Sequence, residues 1–166
     1  MADLKWLDGY SGQTIEELLA LADEYRVDSL LVALEQALNQ KAEEVGEHDL
    51  SDEERIVLAV MALEREVNNG GFGQFFSNSS GQYTPIIVAS LLNIGCTETA
   101  NITSGAINAL GTEDFSPEAL EAALESEDEE RDEQLDECDG LYSGSGEDIA
   151  GKLFEFVSAH QDAIQL

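Results

Sequence analysis

An all-α protein is expected from this sequence: a compact single-domain bundle of about seven to eight helices, with a glycine- and phenylalanine-rich break after the third. Three observations point there. Apolar residues recur at helical spacing along most of the 166 residues. Ser/Thr-x-x-Glu boxes, which satisfy the free N–H groups of a first helical turn, stand just ahead of two of those stretches. No two-residue hairpin signal lies between alternating apolar runs. An apolar content of 43 % excludes a disordered chain, and the length suits one domain with a proper core.

The elements follow in order. Thr14-Ile15-Glu16-Glu17 opens a first helix carrying Leu18, Leu19 and Leu21. Asp28 is placed to cap a second, with Leu30, Leu31, Leu34 and Leu38 on its inner face. Ser51-Asp52-Glu53-Glu54 opens a third, with Ile56, Val60, Leu63 and Val67 on one stripe, ending at Asn69-Gly70. Tyr83 to Ile94 forms a fourth, closed by Gly95 and tolerating Pro85 in its first turn. Thr97 to Leu110 forms a fifth, ending at Gly111, and Ser116-Pro117 pairs a cap with proline at the first helical position. Ile149 to Ala163 closes the chain, with Leu153, Phe154, Phe156 and Val157 inward. Within the single domain, 1–50 hold N-terminal helices, 51–111 a central core, 112–148 a highly acidic segment and 149–166 the C-terminal helix.

The break is the most unusual stretch. Gly70, Gly71 and Gly73 would each cost about 1 kcal/mol against alanine inside a helix, and Phe72, Phe75 and Phe76 fall within five positions. Glycine serves where the backbone must reach positive φ or admit a close neighbour. The structural reading makes the three rings core, with Asn68, Asn69, Gln74 and Asn78 tying down backbone groups around the bend. The functional alternative is a pocket whose glycines and amides hold an anion or peptide at a helix end.

Glu64-Arg65-Glu66-Val67-Asn68-Asn69-Gly70-Gly71-Phe72, then Gln74-Phe75-Phe76 and Asn78-Ser79-Ser80-Gly81, resembles a family of small bacterial proteins typified by a neisserial DNA mimic. The similarity extends back through Leu50-Ser51-Asp52-Glu53-Glu54-Arg55 and forward through Leu91, Gly95 and Ala106. It resumes at Leu135-Asp136, Tyr142 and the closing helix to His160. The resemblance implies a protein that mimics DNA, acts as a homodimer, and sequesters a transcriptional repressor.

Charge supports an acidic interaction surface. The net charge is −29, and the distribution is uneven: residues 112–148 hold sixteen acids and only Arg131. Such a field opposes binding to nucleic acid or anionic membrane and favours basic partners. Asp128, Asp132 and Asp136 repeat every four residues, as do Glu125, Glu129, Glu133 and Glu137. On a helix that spacing sets like charges about 6 Å apart. Alternate phosphates along one DNA strand are about 6.8 Å apart. A row of carboxylates thus offers a DNA-binding surface a comparable charge density. The residues expected to meet a basic DNA-binding protein, such as a repressor, are Glu113, Asp114, Glu118, Glu121, Glu125, Asp128, Glu129, Asp132, Glu133 and Asp136. No apolar residue lies between Ser126 and Gln134, so that stretch reads as solvated on all sides, a projecting helical turn or a loop. The competing reading is a helical interaction domain whose acidity reflects salt adaptation or solubility.

Catalytic patterns are thin, and no enzyme, metal or cofactor is expected. His48 and His160 lack metal-ligand spacing. Gly70-Gly71-Phe72-Gly73 lacks the lysine of a phosphate loop. Asp136 to Glu147 has its glycine one place early for a calcium loop. A hydrolase or carboxylate-metal enzyme would need a concave cluster of acids. Cys96 and Cys138 read as reduced thiols, with an intramolecular disulfide as the minor alternative. The N-terminus Met1-Ala2-Asp3-Leu4-Lys5-Trp6 carries neither a basic start nor an apolar leader, and no apolar run approaches 18 residues. The expectation is a cytoplasmic protein.

Overall fold

A computed structural model describes residues 3–166; Met1 and Ala2, where the reading of the N-terminal segment begins, lie outside them. Among the described residues there are eight α-helices: α1 (Ile15–Ala20), α2 (Val27–Val45), α3 (Asp52–Ser77), α4 (Thr84–Asn93), α5 (Thr97–Ala109), α6 (Pro117–Glu125), α7 (Glu129–Gly144) and α8 (Ile149–Ala159). Short 3-10 turns punctuate them, and an isolated bridge pairs Lys5 with Tyr25. The all-α expectation holds. Among the described residues, no helix is long and apolar enough to cross a membrane.

The helices fall into two units, with Met61 and Ala62 on either side of the division inside α3 and the chain crossing back at Asp148. In the first unit, α2 packs against α1 and α8. Ile15, Leu18, Leu30, Leu31, Leu34, Leu38, Leu153 and Val157 are all at most 3 % exposed there. Each such side chain withdrawn from water contributes about 2 kcal/mol. The Ser51 box closes in both directions: Glu54 N–H donates to Ser51 Oγ at 3.1 Å, and Ser51 N–H donates to Glu54 Oε1 at 3.0 Å. The second Glu54 oxygen receives Lys41 Nζ at 2.6 Å, which lets this carboxylate sit 2 % exposed.

In the second unit, α5 packs on both α4 and α7. Gly95 and Gly111 follow α4 and α5 at φ 85° and 67°, and Pro85 stands in the first turn of α4. Ser116 Oγ accepts from Ala119 N–H, capping α6 ahead of Pro117.

Some boundaries differ from expectation. Asp28 is not the cap of α2. The helix begins two residues earlier than an Asp28 cap would set it, after Arg26, whose guanidinium takes the Asp28 carboxylate at 2.7 Å. Ile56 and Phe154 are half-buried, because the inner faces run through Val57 and Val60 on α3 and through Leu153, Phe156 and Val157 on α8. The last helix stops at Ala159. His160 leaves helical geometry there, stacks on Phe156 at 4.2 Å, and shares a 2.7 Å hydrogen bond between Nδ1 and Phe156 O.

Candidate interaction surface

The scaffold of the surface is the break in α3. Gly70 (φ −153°, ψ 15°) and Gly71 (φ 79°, ψ −177°) leave helical geometry and divide α3 into 52–69 and 72–77. The positive φ at Gly71 is open to glycine and strained for other residues. Space forbids a side chain there as well, because a Cβ on Gly71 would lie 2.8 Å from Asp139 Cγ. The Asp139 carboxylate comes that close because its Oδ1 accepts the N–H of Phe72 at 2.8 Å, filling the new helix start. The anion-binding possibility raised for this helix end is therefore met by the protein's own carboxylate.

Turning the chain at Gly70-Gly71 sends three rings inward: Phe72 and Phe75 are fully buried and Phe76 is 2 % exposed. Phe75 meets Phe76 edge-on at 5.5 Å, and Tyr142 of α7 meets Phe72 edge-on at 5.7 Å. Tyr142 Oη donates to Glu64 Oε1. Burial and the adjacent Glu64 raise the Tyr142 hydroxyl above its ordinary value, so it stays a donor.

The polar residues of the motif divide their tasks differently from the sequence reading. Asn68 Nδ2 does hold a backbone group, the Glu64 carbonyl, at 2.7 Å. Gln74 and Asn78 instead converge on one side chain, donating to Glu66 Oε2 at 2.7 and 2.9 Å. Those amides draw Glu66 below the ordinary carboxylate range, Gln74 most of all. Asn69 is exposed. Gly81 passes so near the Phe76 carbonyl that a Cβ would lie 2.5 Å from that oxygen.

Burial pushes Asp139 above its ordinary value, outweighing the Phe72 N–H bond, and neighbouring Asp136 adds to the rise. Burial likewise raises the Cys138 thiol, beside Glu137 and Asp139, which keeps it unreactive. Cys96 and Cys138 are both buried, and neither is in a disulfide.

The acidic segment lies on α6 and α7. All ten expected contact residues are exposed. Glu113 and Asp114 precede α6, where Asp114 Oδ1 accepts from Ser116 N–H at 2.9 Å. Glu118, Glu121 and Glu125 fall at i, i+3 and i+7 on α6, on a stripe turned away from buried Leu120. Asp128 caps α7 by accepting from Arg131 N–H. On α7, Arg131, Leu135, Cys138 and Tyr142 make the buried face; Glu129, Asp132, Glu133 and Asp136 make the outer one. The four-residue spacing holds along α7 for Glu129, Glu133 and Glu137 and for Asp132 and Asp136, but the expected row is interrupted before it, because Glu125 ends α6, Ser126 is extended and Asp128 is the non-helical cap of α7.

One part of the reading fails: the stretch from Ser126 to Gln134 is not solvated on all sides. Arg131 is 4 % exposed, although its neighbours are all acidic or polar. It donates to the carbonyl of Ala123, to Ser126 Oγ at 2.7 Å, to the Ser126 carbonyl at 2.7 Å and to Asp132 Oδ1 at 3.0 Å. Apolar periodicity gives no hint of this, because the inward group is a cation. Its signal in sequence is a single base among sixteen acids. Asp139, Glu66 and Arg131 were all missed for the same reason, each being a charged residue used internally.

No group of three or more His, Cys, Asp or Glu arranged to hold a metal occurs among the described residues. Beside the motif, Phe76, Ser77, Asn78, Ser79, Gly81, Gln82, Pro117 and Leu120 line a cleft of about 190 Å³. No curated protein and no solved structure matches the chain. The family model described as DMP19-like protein matches residues 48–160. That span takes in the break, the aromatic cluster and both acidic helices, and the chain belongs to the DMP19-like family of DNA mimic proteins.

Proposed function

We propose that this protein presents the outer faces of α6 and α7 to a basic DNA-binding protein, such as a transcriptional repressor, and blocks its DNA site. The observation that carries the reading is the arrangement of charge: nine acids on two helices are exposed, and the only base of residues 112–148 is buried. Lysines and arginines that ordinarily sit on phosphates would meet carboxylates at similar spacing. The partner would release DNA, and the protein would act in the cytoplasm as a regulator of transcription, working as a homodimer. Capture from native lysate at low salt, eluted by a salt gradient, tests this. One basic DNA-binding protein should leave the column as salt rises, because exposed charge contacts are screened over about 8–10 Å. Recovery of no such protein, or elution indifferent to salt, would count against mimicry.

A second reading has its own support. Exposed acids also dot the first unit, including Glu16, Glu17, Glu43, Glu44, Glu47 and Asp52. A helical interaction domain made acidic for salt tolerance would look the same there. Comparing the pI of about 4.1 with other proteins of the same source separates the two. An outlying value favours mimicry, and an ordinary one favours adaptation.

A further inference from the structure

Arg131 is the most costly residue to explain as surface. Burying a cation is unfavourable unless charge and hydrogen bonds replace its hydration. Here they do, through the Ala123 carbonyl in the last turn of α6, the carbonyl and hydroxyl of Ser126 just after it, and the Asp132 carboxylate. Helix α6 ends at Ser126 in extended geometry, without a glycine to fold its final carbonyls back. The guanidinium takes that place, at the negative end of the helix. Lysine could not do the same, since one ammonium cannot spread donors over a planar fork.

We infer that Arg131 is the positioning residue of the anionic face: it fastens the end of α6 to the first turn of α7 and holds the two acidic stripes in one frame. The inference rests on the proposed function, because it assigns the geometry of that same face. Burying the charge serves the same end, since an exposed arginine here would break the anionic row. A role limited to capping α6 would leave the outward acids free to act independently.

Two cationic probes distinguish these roles. One is a stapled helix with lysines at four-residue spacing, which presents charges rigidly; the other is flexible oligolysine of equal charge. The native protein should bind the rigid helix more tightly, with steep salt dependence. Arg131→Met should weaken the rigid probe about tenfold and leave oligolysine within about twofold, because a flexible chain follows displaced acids. Arg131→Lys should fall between. Ser126→Ala, which removes one acceptor and no charge, should shift the rigid probe the same way by a smaller factor, and covers the case of a Met variant that does not fold. Equal losses for both probes, or none for either, would overturn the positioning role while leaving mimicry intact. If the native protein binds neither probe in a salt-dependent way, the proposed function fails first and takes this role with it.

Discussion

Gly71 and Asp139 show how a backbone angle and one carboxylate set the bend. Replacing Gly71 by alanine forces a side chain into a positive-φ position already filled by Asp139. The expected loss is about 2–3 kcal/mol, read as a lowered urea midpoint with an unchanged slope. A variant as stable as the native protein would mean that the bend is not fixed by this contact. Asp139 also gives a pH signature. Its native value is raised, so the folded state holds the proton more tightly than the unfolded chain. That stabilisation is fully present below the unfolded value near 3.8 and is lost as pH rises through the higher native value. Against Asp139→Asn, the native protein should therefore be relatively most stable in acid below the unfolded value and lose ground as pH rises above it. Glu66 has the opposite sign. Its amide bonds stabilise the charged form above the ordinary value of 4.5, and their contribution disappears as pH falls through the lowered native value. Glu66→Gln should be destabilising at neutral pH and nearly silent in acid, as thermal melts across that range would show.

Helix positions were largely legible because caps and apolar spacing act locally. Thr14, Ser51 and Ser116 each accept the N–H three residues on, as their boxes indicate. Asp28 misled because its carboxylate is claimed by Arg26, a choice no spacing rule records. The rings of the break were readable as core, since three phenylalanines behind glycines have few other uses. The partners of its amides were not, because Glu66 lies eight and twelve residues from Gln74 and Asn78, and Asp139 lies 67 from Phe72. Tertiary pairing of charged groups leaves no periodic trace. At the start of α3, Glu54 links its cap to Lys41. Glu54→Ala removes the carboxylate that Ser51 N–H donates to and leaves Lys41, itself about three-quarters buried, without its anion. A loss of about 3 kcal/mol is expected in chemical unfolding, and a loss under about 0.5 kcal/mol, typical of exposed pairs, would contradict this role.

A chain of net charge −29 works against its own folding, so added salt should raise its melting temperature by screening repulsion between exposed acids. The same salt should weaken partner binding, an opposition that separates folding from recognition. Attraction to bases alone would follow from net charge wherever the acids sat. Mimicry requires more: the acids of α6 and α7 must matter beyond their number. Release of a fluorescent duplex from the captured DNA-binding protein measures this directly. Neutralising Glu121, Glu125, Glu129 and Glu133 as glutamines should raise the concentration needed for release by at least about tenfold. Neutralising Glu16, Glu17, Glu43 and Glu44, an equal charge from α1 and α2, should change it by less than about twofold. Equal effects from the two sets would show that bulk charge, and not the ordered face of α6 and α7, competes with DNA.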